Sequence, residues 1–335
     1  MLLVALLLTT TTAPAWPAAV QCPDALKCAR ECDKGNTSSC VDLGWRHEHG
    51  QETPVDVERA LKLYQRACDL GDGLGCVDAG FVYGAGFAVP AAGRGVPRDT
   101  KRAAVLYDEG CTKGALLGCT NLGDLTDRGD GVAKDPKRAL ELHKKACDGD
   151  VGLGCTNQGI LVARDLDDED GAAVLHQKGC TLGAELGCAN LGWAYENGRG
   201  RSKDEAAAAA LYQRSCNEGS GLGCNNLGWL AQKGHGMEKN ETLAFQSYSK
   251  ACDLHEELGC ANLGWVYDHG IGCVQDHAKA IASYEQGCTL GSGNACRNLA
   301  IIVEPTELQR SKDLYARGCT LGDEPACEGS TRLGK

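Results

Sequence analysis

The cysteines of this 335-residue chain recur at a fixed spacing that limits the architectures it can adopt. Eighteen of the 21 form nine pairs whose partners are eight positions apart, and the first members of successive pairs lie 31 to 43 residues apart, most often 36. A regular period of this length is typical of repeat arrays, in which each unit packs only on its neighbours. The pairs are Cys32–Cys40, Cys68–Cys76, Cys111–Cys119, Cys147–Cys155, Cys180–Cys188, Cys216–Cys224, Cys252–Cys260, Cys288–Cys296 and Cys319–Cys327.

Each unit contains the pattern of two helices. Residues 186–198 are apolar at helical spacing and end at Gly198, which predicts a first helix, here called helix A. Asp204 is placed to cap a second helix, helix B, which runs to Cys216. No strand is indicated anywhere. We predict an all-α fold, an αα-solenoid forming a right-handed superhelix of about eight 36-residue helix-turn-helix repeats. It is expected to form one domain over residues 22–335, with caps at 22–40 and 319–335.

The cysteine spacing predicts one disulfide in each repeat. The first cysteine of a pair ends helix B, and the second lies in the first turn of the next helix A. A glycine between them, such as Gly71, adopts the left-handed conformation that ends a helix. The two helix ends then approach within the roughly 5.5 Å between Cα atoms that a disulfide needs. Zinc ligation is the alternative, but no Cys-x-x-Cys occurs and a spacing of eight suits no zinc pattern.

Three cysteines fall outside the pairs. Cys28 occupies the position that Tyr64 holds in the next unit, so it is expected to point inward, where Cys22 is available to bridge to it. Cys22 is also a candidate lipoprotein cysteine, although residues 19–21 are a poor acylation context. Cys273 lies in an inter-helix turn and is expected to be exposed, either as a free thiol or as a bridge to another chain.

The first residues indicate export. An apolar stretch at 2–8 and small residues at 13–19 resemble a signal peptide, here placed at residues 1–21 with an uncertain cleavage site. We therefore expect a secreted or periplasmic protein, a setting in which disulfides persist. No stretch approaches the ~20 apolar residues of a membrane span. The net charge of -11 argues against a nucleic-acid partner, since phosphate contacts require a basic face.

The repeat motifs resemble a known family. Leu191-Gly192 with Tyr195 and Gly198, followed elsewhere by Asp135 with Ala139 and by Tyr64 with Ala67, are similar to Sel-one-like repeats, short-looped relatives of the tetratricopeptide repeat. The cysteine pair in each unit narrows the resemblance to the Helicobacter-type cysteine-rich proteins, with a mitochondrial cytochrome oxidase assembly factor as a relative. The resemblance covers about residues 28–330. It implies an exported, disulfide-stapled solenoid, and members are described as penicillin-binding with slow β-lactam hydrolysis.

Motifs that would carry chemistry are weak. Ser247 and Lys250 form the one Ser-x-x-Lys, but Ser-Asp-Asn and Lys-Thr-Gly are missing, so we interpret the pair as helix surface rather than as a β-lactamase nucleophile and its base. The cluster His47-Glu48-His49 is interpreted as a solvated helix end rather than a metal site, since residues two apart face different ways. Acidic residues 165–170 are expected to start a helix, because their spacing does not fit a calcium loop. We expect no cofactor and no bound metal.

The face of helix A is the strongest candidate binding surface. Counting from the second cysteine of each pair as position 0, glycine at +4 lies on the packing side and positions +2 and +5 lie opposite. In a solenoid this opposite side would line a concave groove. Amides at +2 would bind a peptide backbone and tryptophans at +5 would supply contact area, or both would hold neighbouring repeats together. The candidates are Asn121, Asn157, Asn190, Asn226, Asn262 and Asn298, with Trp45, Trp193, Trp229 and Trp265.

These observations favour a non-catalytic scaffold that binds a protein, a peptide or a cell-wall fragment in the groove. A β-lactam hydrolase is the alternative and depends on the resemblance alone. A thiol-redox assembly factor working through Cys273, Cys28 or Cys22 is the second alternative, and the absence of Cys-x-x-Cys counts against it.

Overall fold

The computed structural model describes residues 22–89 and 94–334, so the predicted signal segment lies outside the described residues. The chain divides into two compact units, Met1–Ala139 and Leu140–Lys335, which are described separately. Unit 1 contains α1 (Ala25–Asp33), α2 (Thr37–His49), α3 (Val57–Asp69), α4 (Gly73–Ala85), α5 (Thr100–Thr112) and α6 (Leu116–Arg128), with strands β1 (Phe87–Val89) and β2 (Arg94–Val96). Helix α7 (Pro136–Asp148) begins in unit 1 and ends in unit 2.

Unit 2 continues the same alternation of helices. It contains α8 (Gly152–Leu166), α9 (Glu169–Thr181), α10 (Glu185–Asn197), α11 (Glu205–Asn217), α12 (Gly221–Lys233), α13 (Glu241–Asp253), α14 (Glu257–His269), α15 (His277–Leu290), α16 (Gly293–Val303), α17 (Leu308–Thr320) and α18 (Glu324–Gly334). Even-numbered helices are the predicted A helices and odd-numbered helices the B helices. Within each unit, every helix packs on its chain neighbours and A helices contact the A helices of adjacent repeats. The predicted all-α repeat fold is confirmed.

A short hairpin corrects the prediction that the chain has no strands. Strands β1 and β2 pair antiparallel, with Phe87 opposite Val96. They flank the insertion that gives this repeat its 43-residue spacing. Val96 is buried, and the Phe87 ring lies 6.3 Å from that of Phe81. Three-residue strands are too short to show an alternating pattern, and packing against α4 rather than strand propensity holds them in place.

All nine predicted disulfides are present, and Cys22 bridges to Cys28 as a tenth. In the Cys68–Cys76 bridge the Cα atoms are 4.6 Å apart, and Gly71 between them has φ of +99°. Cys28 is fully buried in the position that tyrosine holds in other repeats, as predicted. Cys273 has no disulfide partner in the described part of the chain and is half-buried in the turn after α14.

A tyrosine on most B helices fills the gap beside a glycine on the preceding A helix. At Gly228 a Cβ atom would lie 2.7 Å from the Tyr248 ring, so only glycine permits this approach. The same pairing joins Gly44 to Tyr64 and Gly192 to Tyr212. The +4 glycines therefore lie on the packing side, as predicted. This leaves the opposite side of the A helices for other contacts.

The ends of several B helices receive a side-chain donor from the next repeat. Arg214 on α11 donates to the Cys180 carbonyl oxygen at the end of α9, over 2.8 Å. Lys178 donates to Cys147 in the same way, and Lys113 donates to Cys68 in unit 1. The Cys180 carbonyl also accepts from the Gly183 amide of its own turn over 3.1 Å. The following repeat therefore adds a second donor to the final turn of each of these B helices.

The tyrosine hydroxyls connect successive A helices through acids and amides. Tyr212 donates to Glu196 over 2.6 Å, and Asn226 at +2 of the next A helix lies beside the Tyr212 hydroxyl. In unit 1, Tyr64 donates to Glu48 over 2.7 Å, but the next +2 position holds Asp78. Burial, together with the negative charge of Glu48, raises the pKa of Asp78 to about 8. Asp78 therefore places a carboxyl group at the position where the compared repeat has the amide of Asn226.

We expect Asp78→Asn to remove a pH dependence of stability. An aspartate in the unfolded chain titrates near ~4, whereas the folded pKa is about 8. Between these values the folded state holds the extra proton, so the free energy of unfolding falls as pH rises from about 4 to about 8. The variant should match the wild type near pH 4 and exceed it by about 1–3 kcal/mol at pH 8, measured by denaturant titration.

The reciprocal variant is the control for this prediction. Asn226 lies beside Glu196 and Tyr212, in the environment equivalent to that of Asp78. Asn226→Asp should therefore introduce a loss of stability at high pH. Parallel pH profiles for wild type, Asp78→Asn and Asn226→Asp would contradict the assignment.

Candidate functional site

The +5 positions of four consecutive A helices in unit 2 carry exposed apolar side chains. Trp193, Trp229 and Trp265 are 41%, 38% and 37% exposed, and Ile301 is 54% exposed. Helices α10, α12, α14 and α16 that carry them pack in order. These four residues are called the aromatic row below. Large apolar side chains aligned on a surface are a feature of binding sites, whereas scattered ones are not.

Residues four to six positions further along the chain contact the rings of two of these tryptophans and the backbone of the third. The His269 ring stacks on Trp265 at 4.6 Å, and its Nδ1 lies 2.9 Å from the Trp265 carbonyl oxygen. Asn197 donates to the Trp193 carbonyl oxygen over 2.9 Å. His235 contacts Trp229 edge-on at 5.1 Å. A preorganised aromatic surface loses less side-chain entropy on binding.

Some of the asparagines at position +2 make contacts within the protein. Asn226 and Asn298 lie beside the hydroxyls of Tyr212 and Tyr284 of the preceding B helices. Asn262 donates to the Asn225 side chain over 2.8 Å, which joins α14 to α12. These amides therefore connect neighbouring helices. Asn190 and Asn157 hold the same position on α10 and α8, and Asn121 holds it in unit 1.

The equivalent face of unit 1 is less aromatic. Trp45 on α2 stacks with His49 at 4.5 Å and is half-buried. The next +5 residue, Phe81, packs against Phe87 of the hairpin, and the following one is Asp124. The aromatic row is consequently a feature of unit 2.

The Ser247–Lys250 pair is not arranged for catalysis. Ser247 is only 4% exposed, so its interpretation as helix surface is wrong, whereas Lys250 is exposed on the same helix. The side chain at this position of a B helix faces the core, and most repeats place leucine there. A nucleophile must reach its substrate, and the Ser247 hydroxyl does not face solvent.

The three residues of the His47-Glu48-His49 cluster point to different partners. His47 is 6% exposed, so its interpretation as part of a solvated helix end is wrong. Glu48 accepts from Tyr64, and His49 stacks on Trp45. Among the residues described, the side-chain groups close enough to share a metal ion are Cys22, Cys28 and Asp42, and Cys68, Cys76 and Glu109. In both groups the sulfurs are already joined as disulfides.

The acidic segment after α8 starts the next helix, as predicted. Asp168 caps α9 by accepting from the Gly171 amide over 2.9 Å, and Glu169 and Asp170 lie in the first turn.

Burial raises the pKa of the Cys273 thiol, which disfavours the reactive thiolate form. This environment does not favour a redox role for Cys273.

The repeats match a known family model. The Sel1 repeat model matches residues 37–72, 83–114, 116–151, 186–220, 221–255 and 258–292. The chain belongs to the Sel1 repeat family. The predicted resemblance to Sel-one-like repeats is thereby confirmed, and the protein is a repeat scaffold. No curated protein sequence matches the chain.

Two solved structures of repeat proteins share the fold at low sequence identity. The Escherichia coli protein c5321, a protective antigen of uropathogenic strains, is 21% identical with a TM-score of 0.59, over 92% of this chain and 67% of that one. A Sel1 repeat protein from Oxalobacter formigenes is 18% identical with a TM-score of 0.58, over 92% and 90%. Helicobacter pylori cysteine rich protein B is 28% identical over 49% of this Sel1 protein and 93% of its own chain, with a TM-score of 0.23.

In residues 22–89 and 94–334 of this Sel1 protein, no helix is both long enough and apolar enough to cross a membrane.

Proposed function

We propose that this Sel1 repeat protein is an exported scaffold that binds a protein or peptide segment across the aromatic row of unit 2. The observation that carries the proposal is the alignment of Trp193, Trp229 and Trp265 on consecutive A helices, each 37% to 41% exposed. Tryptophan is enriched at binding hot spots because it offers a large, amphipathic contact area. The groove predicted from the sequence runs over the same helix face.

The surroundings of the row favour a protein segment as the ligand. Asn197 and Lys233 lie at +9 and offer hydrogen-bond donors beside the indoles. The residues that carry the row belong to regular helices, which hold contact groups more precisely than loops do. Export is supported by the ten disulfides, which persist in oxidising compartments.

Selection from a displayed library of random linear peptides tests the proposal. Peptides enriched on the oxidised protein should lose binding by about ten-fold or more with Trp193→Ser, Trp229→Ser and Trp265→Ser combined. Because about three fifths of each tryptophan is buried, the triple variant should also melt at a lower temperature, so binding is compared at a temperature at which circular dichroism shows both proteins to be folded. Enriched peptides that bind the triple variant as well as the wild type would contradict the proposal, as would a library that yields no binder.

The same preparation distinguishes the alternative function. Turnover of a chromogenic β-lactam that persists through repurification would favour a hydrolase. Because Ser247 is buried, its replacement by alanine should leave any such turnover unchanged.

A further inference from the structure

A second surface of unit 2 is formed by the turns that the disulfides close. Each turn joins a B helix to the next A helix, and all six occur at one end of the repeats, because the helices alternate in direction. This surface is called the disulfide edge below. It comprises residues 148–154, 181–187, 217–223, 253–259, 289–295 and 320–326.

The disulfide edge is continuous, because each turn contacts the next. A Cβ at Gly152 would lie 3.1 Å from the Leu182 Cβ, and one at Gly221 would lie 3.5 Å from the Leu254 Cβ. The other neighbouring turns are linked through the B helices that lead into them and by a close approach. Ser215 on α11 donates to the Glu185 carbonyl oxygen over 2.7 Å, Gln286 on α15 donates to the Cys252 carbonyl oxygen at the end of α13 over 3.1 Å, and Gly293 lies against Asp323.

Leucines protrude from this edge. Five leucines are 37% to 41% exposed: Leu153, Leu182, Leu254, Leu258 and Leu321. The Cβ atoms of Leu182 and Leu254 lie beside Gly152 and Gly221 of the preceding turn, and part of each leucine side chain faces solvent. Together with the aromatic row, these leucines account for nine of the thirteen large apolar side chains exposed in the described part of unit 2. Exposed apolar groups collected on one surface indicate an interaction site.

The same edge carries only negative formal charge. Its six segments contain nine acidic residues and no lysine or arginine. Four acids pair with cations outside the edge: Asp148 with Lys144, Asp150 with Lys178, Glu218 with Arg214, and Asp323 with Arg297. Of the other five, Glu256 is buried, and the more accessible Glu185, Asp253, Glu257 and Glu324 have no ion-pair partner in the described part of the chain.

We propose that the disulfide edge docks a cationic amphipathic segment of a partner protein. The leucines would bury apolar side chains of that segment, and the four unpaired carboxylates would pair with its lysines or arginines. An anionic bilayer and a second copy of this edge both carry the wrong charge, since like charges placed together cost energy.

The spacing of the turns fits a helix as the docked segment. Packed helices lie about 8–10 Å apart, so neighbouring turns are expected to recur at about that interval, and four of the six turns carry an exposed leucine. Seven residues of an α-helix span about 10.5 Å. A helix with an apolar residue every seven positions, flanked by lysines, would therefore present apolar groups to the turns that carry leucine and lysines to the carboxylates.

A pair of synthetic helical peptides tests this docking site on the full oxidised protein. The probe is a fluorescent 21-residue peptide with leucine in the apolar positions and lysine on both flanks, and the matched control has glutamate in place of lysine. We expect anisotropy to show binding of the lysine peptide, weakened by salt, and none of the glutamate peptide. Equal binding of both peptides, or binding of neither, would overturn the proposal.

Variants place the binding on the edge. Leu254→Ser with Leu258→Ser should weaken binding by about ten-fold or more, and Asp253→Asn with Glu257→Gln by about three-fold or more. The exposed Leu308, which lies on α17 away from the turns, supplies the matched control Leu308→Ser, which should bind like the wild type. A larger loss in the Trp229→Ser, Trp265→Ser variant would move the peptide to the aromatic row and overturn the proposal. Circular dichroism and thiol counting confirm that each variant is folded and oxidised.

A membrane or a second copy of the protein on the disulfide edge would give results different from those expected for a peptide. Stronger binding to phosphatidylglycerol vesicles than to the lysine peptide would overturn the proposal in favour of a membrane. Concentration-dependent dimerisation in sedimentation, abolished by Leu254→Ser with Leu258→Ser, would overturn it in favour of a second copy. The docking site does not depend on the function proposed for the aromatic row, because the two surfaces respond to different variants.

Discussion

Reduction of the disulfides is expected to unfold the protein without denaturant. Each of the nine repeat bridges closes a loop between cysteines eight positions apart, and the chain-entropy model gives about 2–3 kcal/mol for a loop of this size. Ten such bridges together exceed the roughly 5–15 kcal/mol by which folded proteins are stable. Far-ultraviolet circular dichroism during titration with a reductant should show loss of most helix signal, and reoxidation should restore it.

Single bridges give the graded version of this experiment. Cys216→Ala with Cys224→Ala should lower the free energy of unfolding by about 2–3 kcal/mol. Cys273→Ser is the control, since Cys273 forms no disulfide and is half-buried. Retention of full helicity after complete reduction would show that packing alone holds the repeats and would contradict the prediction.

Gly236→Ala is expected to be among the most destabilising single substitutions. Gly236 lies in the turn after α12 and has φ of +67°. A Cβ there would overlap the carbonyl oxygen of Glu205, the first residue of α11. Backbone cannot move aside as a flexible side chain can. We expect a loss of about 3–5 kcal/mol in the free energy of unfolding, measured by denaturant titration.

Gly219→Ala separates the two causes of this loss. Gly219 also has a left-handed φ, of +101°, but nothing lies within 4 Å of a Cβ built there. Its substitution should cost only the conformational strain, about 1 kcal/mol. Similar losses at Gly219 and Gly236 would show that the contact with Glu205 contributes nothing.

The repeat period predicted the helices and disulfides because both recur in every unit. The burial of single residues was harder to predict when they were interpreted without comparison with the equivalent position in the other repeats. Ser247 matches a catalytic motif in isolation, yet six other repeats have leucine at the same position of helix B, which indicates a core-facing site. His47 similarly occupies a position where other repeats have Tyr83, Tyr195 and Tyr267. Comparison of the equivalent positions across the repeats would have predicted that Ser247 and His47 are buried.

Other features depend on contacts between repeats that a period does not show. The raised pKa of Asp78 follows from its burial beside Glu48 of the preceding A helix. The disulfide edge follows from contacts between turns more than 25 residues apart in sequence, such as Gly152 with Leu182. The leucines were visible in the sequence only as parts of turns, and their exposure depends on how the turns stack.

The capping of several B helices by the next repeat affects how such a chain can evolve. The donor on one unit, such as Arg214, and the acceptor carbonyl on the unit before it, at Cys180, are separated by close to one period. A repeat duplicated in frame would bring both a donor for its predecessor and an acceptor for its successor. A duplication of part of a period would separate such a side-chain donor from its carbonyl, which would keep only the backbone donor of its own turn. Growth of the gene by whole repeats is therefore the change that this architecture tolerates best.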